Sequence, residues 1–493
     1  MYTVCNMSFV EGCWAPSVHT NCNHNETVAL LKRSLAPTPT YTDNAPVLKV
    51  FGSLRQLAKR WGGSRWSDLE TAMSYTGAMR LRYLKAEESL RLDGPITSVD
   101  SKLGAFLKAE KFGYGKYGKP RMIFPRSPRY NLKLASFLKP FEHWLWGYLT
   151  GRRLWGGNNT RVVAKGLNGG ARAQLIGRKF KTFTDCVVFE VDGSAFEAHV
   201  DSWQLEAEHG VYMAAHSGAP ELARLLARQL VNEGNTPGGL RFSRAGGRAS
   251  GDFNTGMGNT LIMLAVVVAV LRHLKVPFDV LVDGDNALVF LSQCDSARVC
   301  SRFAELALLF SGHEMVLENP VTTMEHIRFG QSAPVEVSSG RWTMVRSWDK
   351  VVSHMTSSHA HLQQPAFALP FLRGVAQCEL ALHQGLPVAQ FMARNIIART
   401  EGVKAVGDSF YRDYEVMGVS LGDRHKSRFV EPTMTCRESF ARAFGLEPDQ
   451  QLQLERDLEG LTIDVGPWQP EESPFQTGFF SARPGLVDKF NGV

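Results

Sequence analysis

The sequence has few cysteines and no pattern that would tie them together. Eight cysteines are spread over 493 residues, and no Cys-x-x-Cys occurs among them. This spacing argues against a disulfide framework and favours a reducing compartment. The N-terminal cluster of Cys5, Cys13, His19, Cys22 and His24 lacks the paired spacing of zinc ligands, so a zinc site is not favoured there.

Long apolar runs and targeting signals are also scarce. The chain does not start with the basic and apolar regions of a signal peptide. The longest apolar run, residues 261–271, ends at Arg272 and is too short to cross a membrane. We therefore predict a buried helix at this run and no transmembrane segment. Association with a membrane would need a partner or another part of a larger polyprotein.

Excess charge is nearly absent outside one segment. The chain has 55 Lys+Arg against 48 Asp+Glu, a formal net charge of +7. Residues 102–133 contain nine basic residues and one acidic residue, Glu110, so the remainder is close to neutral. A solvated loop is the simplest interpretation of a basic run. Aromatic rings between the charges favour instead a surface that binds nucleic acid or nucleotides. These rings are Tyr114, Tyr117, Phe124 and Tyr130.

Hydrophobic periodicity divides the rest of the chain. Residues 1–45 are polar and rich in Asn, Thr and Pro, which predicts an irregular extension. Residues 50–90 have helical periodicity, and residues 134–148 predict an aromatic-rich helix broken or kinked at Pro140. Beyond residue 351 the pattern is mainly helical, up to a polar tail after about residue 466.

Two acidic residues follow strand-like runs. Residues 187–192 (VVFEVD) are rich in strand-forming residues and end at Asp192. The strand-like residues 278–282 and 287–291 are separated only by Asp-Gly-Asp-Asn, which predicts a tight hairpin with Asp285 at its tip. Taken singly, each acidic residue can be explained as a polar turn residue.

The two acidic residues together point to metal-dependent chemistry. Nucleotidyl transfer uses two divalent cations about 4 Å apart, held by oxygen ligands from separate elements. One cation activates the attacking 3′-hydroxyl, and the other holds the triphosphate and the leaving pyrophosphate. Asp192 at a strand end and Asp285 at a hairpin tip can supply such a pair of carboxylates.

A glycine-rich segment, residues 250–260 (SGDFNTGMGNT), precedes the apolar run. Its three glycines allow the backbone to approach a ligand closely, and its Ser, Thr and Asn side chains can hydrogen-bond a sugar or a base pair. An ordinary helix N-terminus behind a flexible loop is the alternative interpretation of this segment.

These three segments occur in the order of motifs A, B and C of viral RNA-dependent RNA polymerases, and the sequence resembles the tombusvirus-like lineage of that family. The resemblance extends over about residues 100–350. Residues 120–131 (PRMIFPRSPRYN) resemble the basic fingers motif of the lineage, which guides the incoming triphosphate. Further similar positions are residues 165–168 (KGLN), Glu208, His209, Tyr212, and, for motifs D and E, residues 312–320, 329–331 and 334–335.

The resemblance implies an α+β, right-hand polymerase fold with fingers, a palm built on an antiparallel sheet flanked by helices, and a helical thumb. We expect an N-terminal extension over residues 1–45 and fingers over 46–185. The palm would occupy residues 186–345, with a fingers insertion near 204–245, and the thumb and C-terminal tail residues 346–493.

The resemblance also implies roles for particular residues. Asp192, Asp285 and Asn286 would be catalytic and hold two Mg²⁺ ions, or Mn²⁺ in their place. The basic residues Lys119, Arg121 and Arg126 would bind the nucleotide, since planar guanidinium groups suit phosphate oxygens. Sugar and base contacts would come from Glu197, Ser250, Gly251, Thr255 and Asn259, with Glu197 and Asn259 reading the ribose 2′-hydroxyl.

The sequence departs from the pattern of the lineage at three places. Asn286 stands where Gly-Asp-Asp would have its second Asp, as in some umbra-like viruses of fungi, the group that it resembles most. Glu197 replaces the second Asp of motif A. No lysine occurs between Lys275 and Lys350, so the motif D lysine proposed as general acid is missing, and His313 is a candidate substitute.

The expected activity is RNA-directed RNA polymerisation that replicates a positive-strand viral genome. The expected partners are an RNA template and nascent strand, ribonucleoside triphosphates, and viral or host proteins of a replication complex. We expect the host cytoplasm as location, at membrane-bound complexes through a partner. A degenerate, RNA-binding polymerase remains an alternative because of Asn286 and Glu197. A reverse transcriptase is a weaker one, since it would have an aromatic-x-Asp-Asp hairpin.

Overall fold

The computed structural model describes residues 1–5, 7, 10–113 and 118–464 and combines helices with sheets, which agrees with the predicted α+β class. Tyr114, Tyr117 and the polar tail after residue 466 lie outside the described residues. The α-helices in chain order are α1 Asn23–Ala29, α2 Ala45–Ala58, α3 Asp68–Met73, α4 Gly77–Leu92, α5 Pro128–Tyr148, α6 Gly151–Trp155, α7 Gly169–Phe180, α8 Phe196–His199, α9 Ser202–Ala215, α10 Pro220–Ala227, α11 Thr255–Leu274, α12 Gln293–Ser311, α13 Trp348–Met355, α14 Pro365–Leu382, α15 Ala389–Arg399, α16 Arg412–Val416, α17 Met434–Phe444 and α18 Pro448–Gly460.

The strands are short except in one central sheet. They are β1 Tyr2–Thr3, β2 Leu103–Gly104, β3 Phe106–Leu107, β4 Met122–Ile123, β5 Cys186–Gly193, β6 Val231–Asn235, β7 Arg241–Ala245, β8 Asp279–Asp283, β9 Asn286–Ser292, β10 Met315–Leu317, β11 Ser332–Ser338, β12 Arg341–Arg346 and β13 Ser357–Ser358. The predicted strands near residues 187–192, 278–282 and 287–291 are confirmed as β5, β8 and β9.

The central sheet has four antiparallel strands in the order β10-β5-β9-β8. Side chains alternate between its faces. Val191 and Val289 join the large core that contains α11, whereas Val188 and Phe290 join a second cluster with residues of α7. Because both faces are covered, the strands are continuous apolar runs and not alternating ones.

The hairpin between β8 and β9 is as tight as the sequence predicts. Asp283 pairs with Asn286, so only Gly284 and Asp285 form the loop. Gly284 has a φ of 63°, a left-handed conformation that glycine adopts without the steric cost of a side chain. The first loop position of a two-residue hairpin requires such a conformation, and this fixes Asp285 at the tip.

Helix α11 lies in the interior against the central sheet. It begins at Thr255, six residues before the predicted apolar run, so part of the glycine-rich segment is helical. The helix is long and apolar enough to cross a membrane by length and composition, but most of it is buried inside the protein. Its residues from Leu261 to Leu271 all belong to the main hydrophobic cluster, as expected of a core helix.

The aromatic-rich helix and the helices around it also follow the prediction. Helix α5 begins at Pro128, where proline suits the first turn, and the side chain of Ser127 accepts a hydrogen bond from the Tyr130 N–H. It continues through Pro140 to Tyr148, so of the predicted break or kink at Pro140 the break does not occur. Helices α2 to α4 account for the periodicity of residues 50–90.

The N-terminal segment is more ordered than its composition predicts. The expectation of an irregular extension is wrong for α1 and for a π-helix at Leu30–Ser34. Strand β1 pairs with β13, and Val4 is buried among residues of the helices after residue 347. Leu30 packs with residues near β2 and β4. Tertiary contacts therefore order a segment whose own sequence pattern is weak.

Candidate active site

The central sheet brings the predicted acidic residues together. Asp192 near the end of β5 lies directly opposite Asn286, the first residue of β9. The Gly193 N–H donates a hydrogen bond to the Asp285 carbonyl oxygen over 3.2 Å. Residues separated by about ninety positions in the chain thus meet at one edge of the sheet.

The carboxylates of this site disfavour each other's ionisation. Burial, together with the nearby charges of Glu197 and Asp192, raises the pKa of Asp285 to about 6. The pKa of Asp192 is also raised, first by burial and then by Glu318 and Glu197. Arg121 lowers both pKa values, but it does not offset the other effects. The site therefore concentrates negative charge that a cation would stabilise.

The donor set fits a hard divalent cation. In the described part of the chain, no three His, Cys, Asp or Glu side chains form a metal cluster. Asp192 and Asp285 offer two carboxylates, and Asn286 offers an amide oxygen. Mg²⁺ in phosphoryl-transfer sites is commonly held by one or two carboxylates, with water and substrate phosphates completing the shell. Two carboxylates and one amide are therefore enough protein ligands for such a site.

A cavity beside the carboxylates contains several of the predicted nucleotide-binding residues. Arg121, Glu197 and Ser250 line it. The Arg121 guanidinium lies 3.9 Å from a Glu197 carboxylate oxygen and 3.4 Å from Glu110. Lys119 does not line this cavity. It is exposed, and its ammonium donates to the Lys32 carbonyl oxygen over 3.2 Å.

The same cavity contains Arg33, which the sequence analysis missed. Arg33 follows α1, and its pKa is lowered by burial and by the nearby Arg121, while Glu197 and Asp285 act in the opposite direction. Arg244 fixes the segment by donating to the carbonyl oxygens of Ser34 and Ala198. No periodicity or spacing marks Arg33 in the sequence, because a long-range contact brings it to the site.

Arg126 is not placed to bind a nucleotide directly, and the prediction of that contact is wrong. It is only 2% exposed. Its Nε donates to Asp252 over 2.7 Å, and its other nitrogens donate to Ser101 O and Asn232 Oδ1. A guanidinium with all these partners is buried for structural reasons. Its function is to fix the loop that contains Asp252.

The glycine-rich segment is held against its surroundings at several points. A Cβ on Gly251 would lie 2.5 Å from the Pro125 nitrogen, so this position accepts no side chain. The Thr255 hydroxyl donates to the Ala249 and Asp252 carbonyl oxygens over 2.8 and 2.9 Å. Both residues therefore shape the loop, and neither of them lines the cavity.

One hydrogen bond joins this segment to the hairpin tip. The Gly284 N–H donates to the Thr260 hydroxyl over 2.9 Å. Thr260 in turn donates to the Gly256 carbonyl oxygen over 2.7 Å. The N-terminal part of α11 is therefore coupled to the turn that presents Asp285.

A buried polar network centred on Glu208 holds the glycine-rich segment, residues 250–260, in place. The carboxylate of Glu208 accepts hydrogen bonds from Arg248, from the Tyr212 hydroxyl at 2.6 Å and from Asn254 at 2.9 Å. Arg248 Nε donates to Asn259 Oδ1 over 3.1 Å. The Arg248 backbone N–H donates to the Glu197 carbonyl oxygen over 2.8 Å. Asn259 is thus buried and linked to Glu197 through Arg248.

Comparison with known proteins identifies the family. The sequence profile of the family described as viral RNA dependent RNA polymerase matches residues 5–466. The chain belongs to this family.

Three viral relatives are similar to the chain over most of its length. The RNA-directed RNA polymerase of Carnation mottle virus is 34% identical over 467 residues, which cover 90% of this chain and 59% of that protein. The protein of the same name from Tobacco necrosis virus (strain A) is 30% identical over 465 residues, covering 90% and 62%. The Turnip crinkle virus protein is 29% identical over 470 residues, covering 91% and 59%. The chain therefore spans about three fifths of the length of these relatives. They support the predicted tombusvirus-like lineage.

His313 is not placed to be the general acid that the sequence suggested. His313 is fully buried, and its Nε2 lies 3.2 Å from Gln204 Oε1. Its ring packs against Phe196. Burial and the neighbouring His199 lower the pKa of His313 to about 3. A neutral ring enclosed in the core cannot deliver a proton to a leaving group, so His313 has a packing role.

Proposed function

We propose that the chain is an RNA-directed RNA polymerase that replicates a positive-strand viral genome by template-directed nucleotidyl transfer. The observation that carries the proposal is the pairing of Asp192 with Asn286, with Asp285 next to it at the hairpin tip. Family membership and the names of the relatives support it. An RNA template, a nascent strand and ribonucleoside triphosphates would be its substrates and partners.

The proposed architecture is a right hand. The sheet of β5, β8, β9 and β10 would be the centre of the palm, residues 186–345, with the insertion near 204–245 belonging to the fingers. Fingers over 46–185 and a thumb from residue 346 agree with the helical content on either side. The N-terminal extension, residues 1–45, packs against the proposed thumb near Val4 and against the proposed fingers near Leu30. These contacts support a role for the extension in bridging fingers and thumb.

In the proposed mechanism, Asp192 and Asp285 would hold two Mg²⁺ ions, and Asn286 would be an auxiliary neutral ligand. Bound divalent cations would activate the 3′-hydroxyl and stabilise the charge that develops on the phosphates. Burial and repulsion by neighbouring carboxylates raise the pKa values of both carboxyls, which supports their assignment as cation ligands. Most of the rate would come from positioning and from electrostatic stabilisation.

Arg121 would contact the triphosphate, and Arg33 would assist it from the N-terminal segment. Both line the cavity next to the carboxylates, and both are near enough to Glu197 for the charges to interact. Two guanidinium groups suit a polyanionic substrate such as a triphosphate. Such a substrate would displace the weak ion pair between Arg121 and Glu197. Lys119 is exposed, so it would only add to the positive electrostatic potential around the cavity.

The ribose would be read by Glu197 and Ser250 at the cavity wall. Asn259 would act indirectly, because Arg248 connects it to the backbone of Glu197. A polar site that is built for a hydroxyl rejects substrates that lack it, since its buried groups would stay unpaired. This would favour ribonucleotides over deoxyribonucleotides.

The neutral Asn286 gives a second candidate function, a degenerate polymerase that binds RNA without extending it. If the chain is related to umbra-like viruses, as we propose from the same residue, an amide at this position would be a normal feature of an active enzyme.

Primer extension with labelled ribonucleotides, Mg²⁺ or Mn²⁺, and matched RNA and DNA templates tests these functions. Extension on RNA with ribonucleotides supports the proposal. Extension only with deoxyribonucleotides would indicate a reverse transcriptase, and binding without extension would indicate the degenerate form.

A further inference from the structure

The hairpin between β8 and β9 contains an acidic residue that the proposed mechanism does not use. Asp283 is the last residue of β8, directly before the turn, and it pairs with Asn286 across the hairpin. Asn286 in turn lies opposite Asp192 on β5. Asp192, Asn286 and Asp283 therefore follow one another across three neighbouring strands, with the amide between the two carboxylates.

The side chains in this row share the face of the sheet that α7 covers. In an antiparallel sheet, directly opposite side chains lie on one face, and the two faces alternate along each strand. Leu281 and Leu288 are opposite each other and pack in one cluster with residues of α7. Asp283 and Asn286 are each two positions nearer the turn than these leucines, so they continue the same face.

An arginine of α7 holds the Asp283 carboxylate. Arg172 donates a hydrogen bond to Asp283 Oδ2 over 2.7 Å, and the two side chains are 22% and 25% exposed. The Arg172 guanidinium also lies over the Phe329 ring, 5.4 Å from its centroid. A single ion pair near the surface usually adds little to stability, so stability alone does not account for this arrangement. Because Arg172 engages Oδ2, the Oδ1 atom can accept a hydrogen bond from another donor.

The amide of Asn286 needs such an acceptor if it is to bind a cation. An amide has one oxygen, which can bind a hard cation, and one NH2 group, which cannot. When the oxygen faces a cation, the NH2 group faces away from it and requires an acceptor of its own. Asp192 would be engaged by the cations. Asp283 is therefore the cross-strand carboxylate that is left for the NH2 group.

We propose that Asp283 is a positioning residue, which accepts a hydrogen bond from the Asn286 amide and so turns the amide oxygen towards the metal site. Arg172 keeps the Asp283 carboxylate in place for this contact. Hydrogen-bond partners of this kind orient the ligands of many metal sites. The inference rests on the proposed function, because it assumes that the hairpin binds divalent cations.

The Mn²⁺ affinity of the protein, measured by electron paramagnetic resonance without substrate, tests this role. Asp283→Ala and Asp283→Asn remove the same charge, but only Asp283→Asn keeps an oxygen that can accept from the amide. Asp283→Ala should weaken Mn²⁺ binding about tenfold, and Asp283→Asn about twofold at most. Asp68→Ala is the matched control, because Asp68 forms an ion pair of similar exposure with Lys133, outside the sheet. It should leave the Mn²⁺ affinity unchanged.

A double-mutant cycle shows whether Asp283 acts through the amide. Asn286→Ala removes the group that is to be oriented, so adding Asp283→Ala to it should weaken Mn²⁺ binding by no more than about twofold. The thermal midpoint of the metal-free protein is a second readout. Asp283→Asn should lower this midpoint in the wild type, where Arg172 loses its charged partner. It should raise the midpoint in an Asn286→Asp background, where two opposite carboxylates repel each other.

Equal effects of Asp283→Ala and Asp283→Asn on the Mn²⁺ affinity would indicate an effect of charge alone and would overturn the proposal. So would a full tenfold effect of Asp283→Ala in the Asn286→Ala background, or a lower thermal midpoint from Asp283→Asn in both backgrounds. Failure of the proposed function has a different result. Asp285→Ala would then leave the Mn²⁺ affinity unchanged, and the role of Asp283 would be overturned together with the metal site.

Discussion

Asp192 lies directly opposite Asn286 across β5 and β9, so the strand-end carboxylate has an amide as its cross-strand neighbour. The charge of Asp285 comes from the adjacent loop position. The negative charge of the proposed metal site therefore rests on two carboxylates, with Glu197 as a third nearby. This arrangement decides how the site should respond to metals and to substitutions.

Asn286 should make the enzyme favour Mn²⁺ more than a carboxylate at this position would. Mg²⁺ requires nearly ideal octahedral geometry and loses water reluctantly, whereas Mn²⁺ accepts a looser site. We expect wild type to work with Mg²⁺ and to gain more from Mn²⁺ than Asn286→Asp does. Initial incorporation rates against metal concentration, at fixed template and nucleotide, measure this gain.

The same rates rank the ligands. Asn286→Ala should lose about tenfold, and Asp285→Ala on the order of 1000-fold, because only the latter removes a charged ligand. Equal losses would make the amide an essential ligand. An inactive Asn286→Asp would mean that the local geometry is specific for the amide.

Arg121 and Arg126 should separate into a substrate residue and a structural residue. Arg121→Gln should raise the KM for nucleotides and leave the thermal midpoint unchanged, because Arg121 is partly exposed with only loose ion pairs. Arg126→Gln should destabilise the protein by about 3 kcal/mol, since it leaves Asp252 buried without its cation. Thermal unfolding and nucleotide titrations of both variants test the division. A stable Arg126→Gln protein with a raised KM would restore the direct phosphate contact.

Sugar discrimination should depend on Glu197 more than on Asn259. Glu197→Ala should reduce the preference for ribonucleotides by at least about tenfold, because it removes a polar group at the cavity wall. Asn259→Ala should have a smaller effect, transmitted by Arg248. Competition between ribo- and deoxyribonucleotides in single-nucleotide incorporation measures both. An equal preference in wild type and both variants would locate sugar recognition elsewhere.

Magnesium should stabilise the protein more at pH 8 than at pH 5. The pKa of Asp285 is raised from its ordinary value of 3.8 to about 6, so this group reduces stability progressively as the pH rises from about 3.8 to about 6, where the unfolded state ionises first. Above about pH 6 the carboxylate is ionised and available to a cation. Thermal melts with and without Mg²⁺ should differ by about 2 °C or more at pH 8, and by less at pH 5. Asp285→Asn should abolish most of this shift, and an equal shift in wild type and variant would place the bound cation elsewhere.

The strands and the hairpin could be predicted because their signals are local. β-rich runs flank Asp-Gly, and the turn requires glycine at Gly284, so the place of Asp285 follows from short-range chemistry. The pairing of Asp192 with Asn286 needed the resemblance as well, since no local rule sets the register of strands so far apart.

The place of Arg33 in the cavity could not be predicted from the sequence, because it depends on long-range contacts and not on local signals. Its segment is ordered by contacts with residues more than sixty positions away, such as Leu103 and Arg244. The burial of Arg126 was equally hidden, because a basic residue in a basic run gives no sign of the partner Asp252. Charge pattern alone cannot separate a substrate contact from a buried ion pair.

The most direct measurement is ribonucleotide incorporation by Asp192→Asn and Asp285→Asn proteins, with RNA affinity measured on the same preparations. Each change keeps the shape of the side chain and removes one charged ligand. Both variants should lose incorporation on the order of 1000-fold and keep RNA affinity within about twofold, since the basic residues supply that affinity. Incorporation near the wild-type rate by Asp285→Asn would contradict the assignment of the catalytic site.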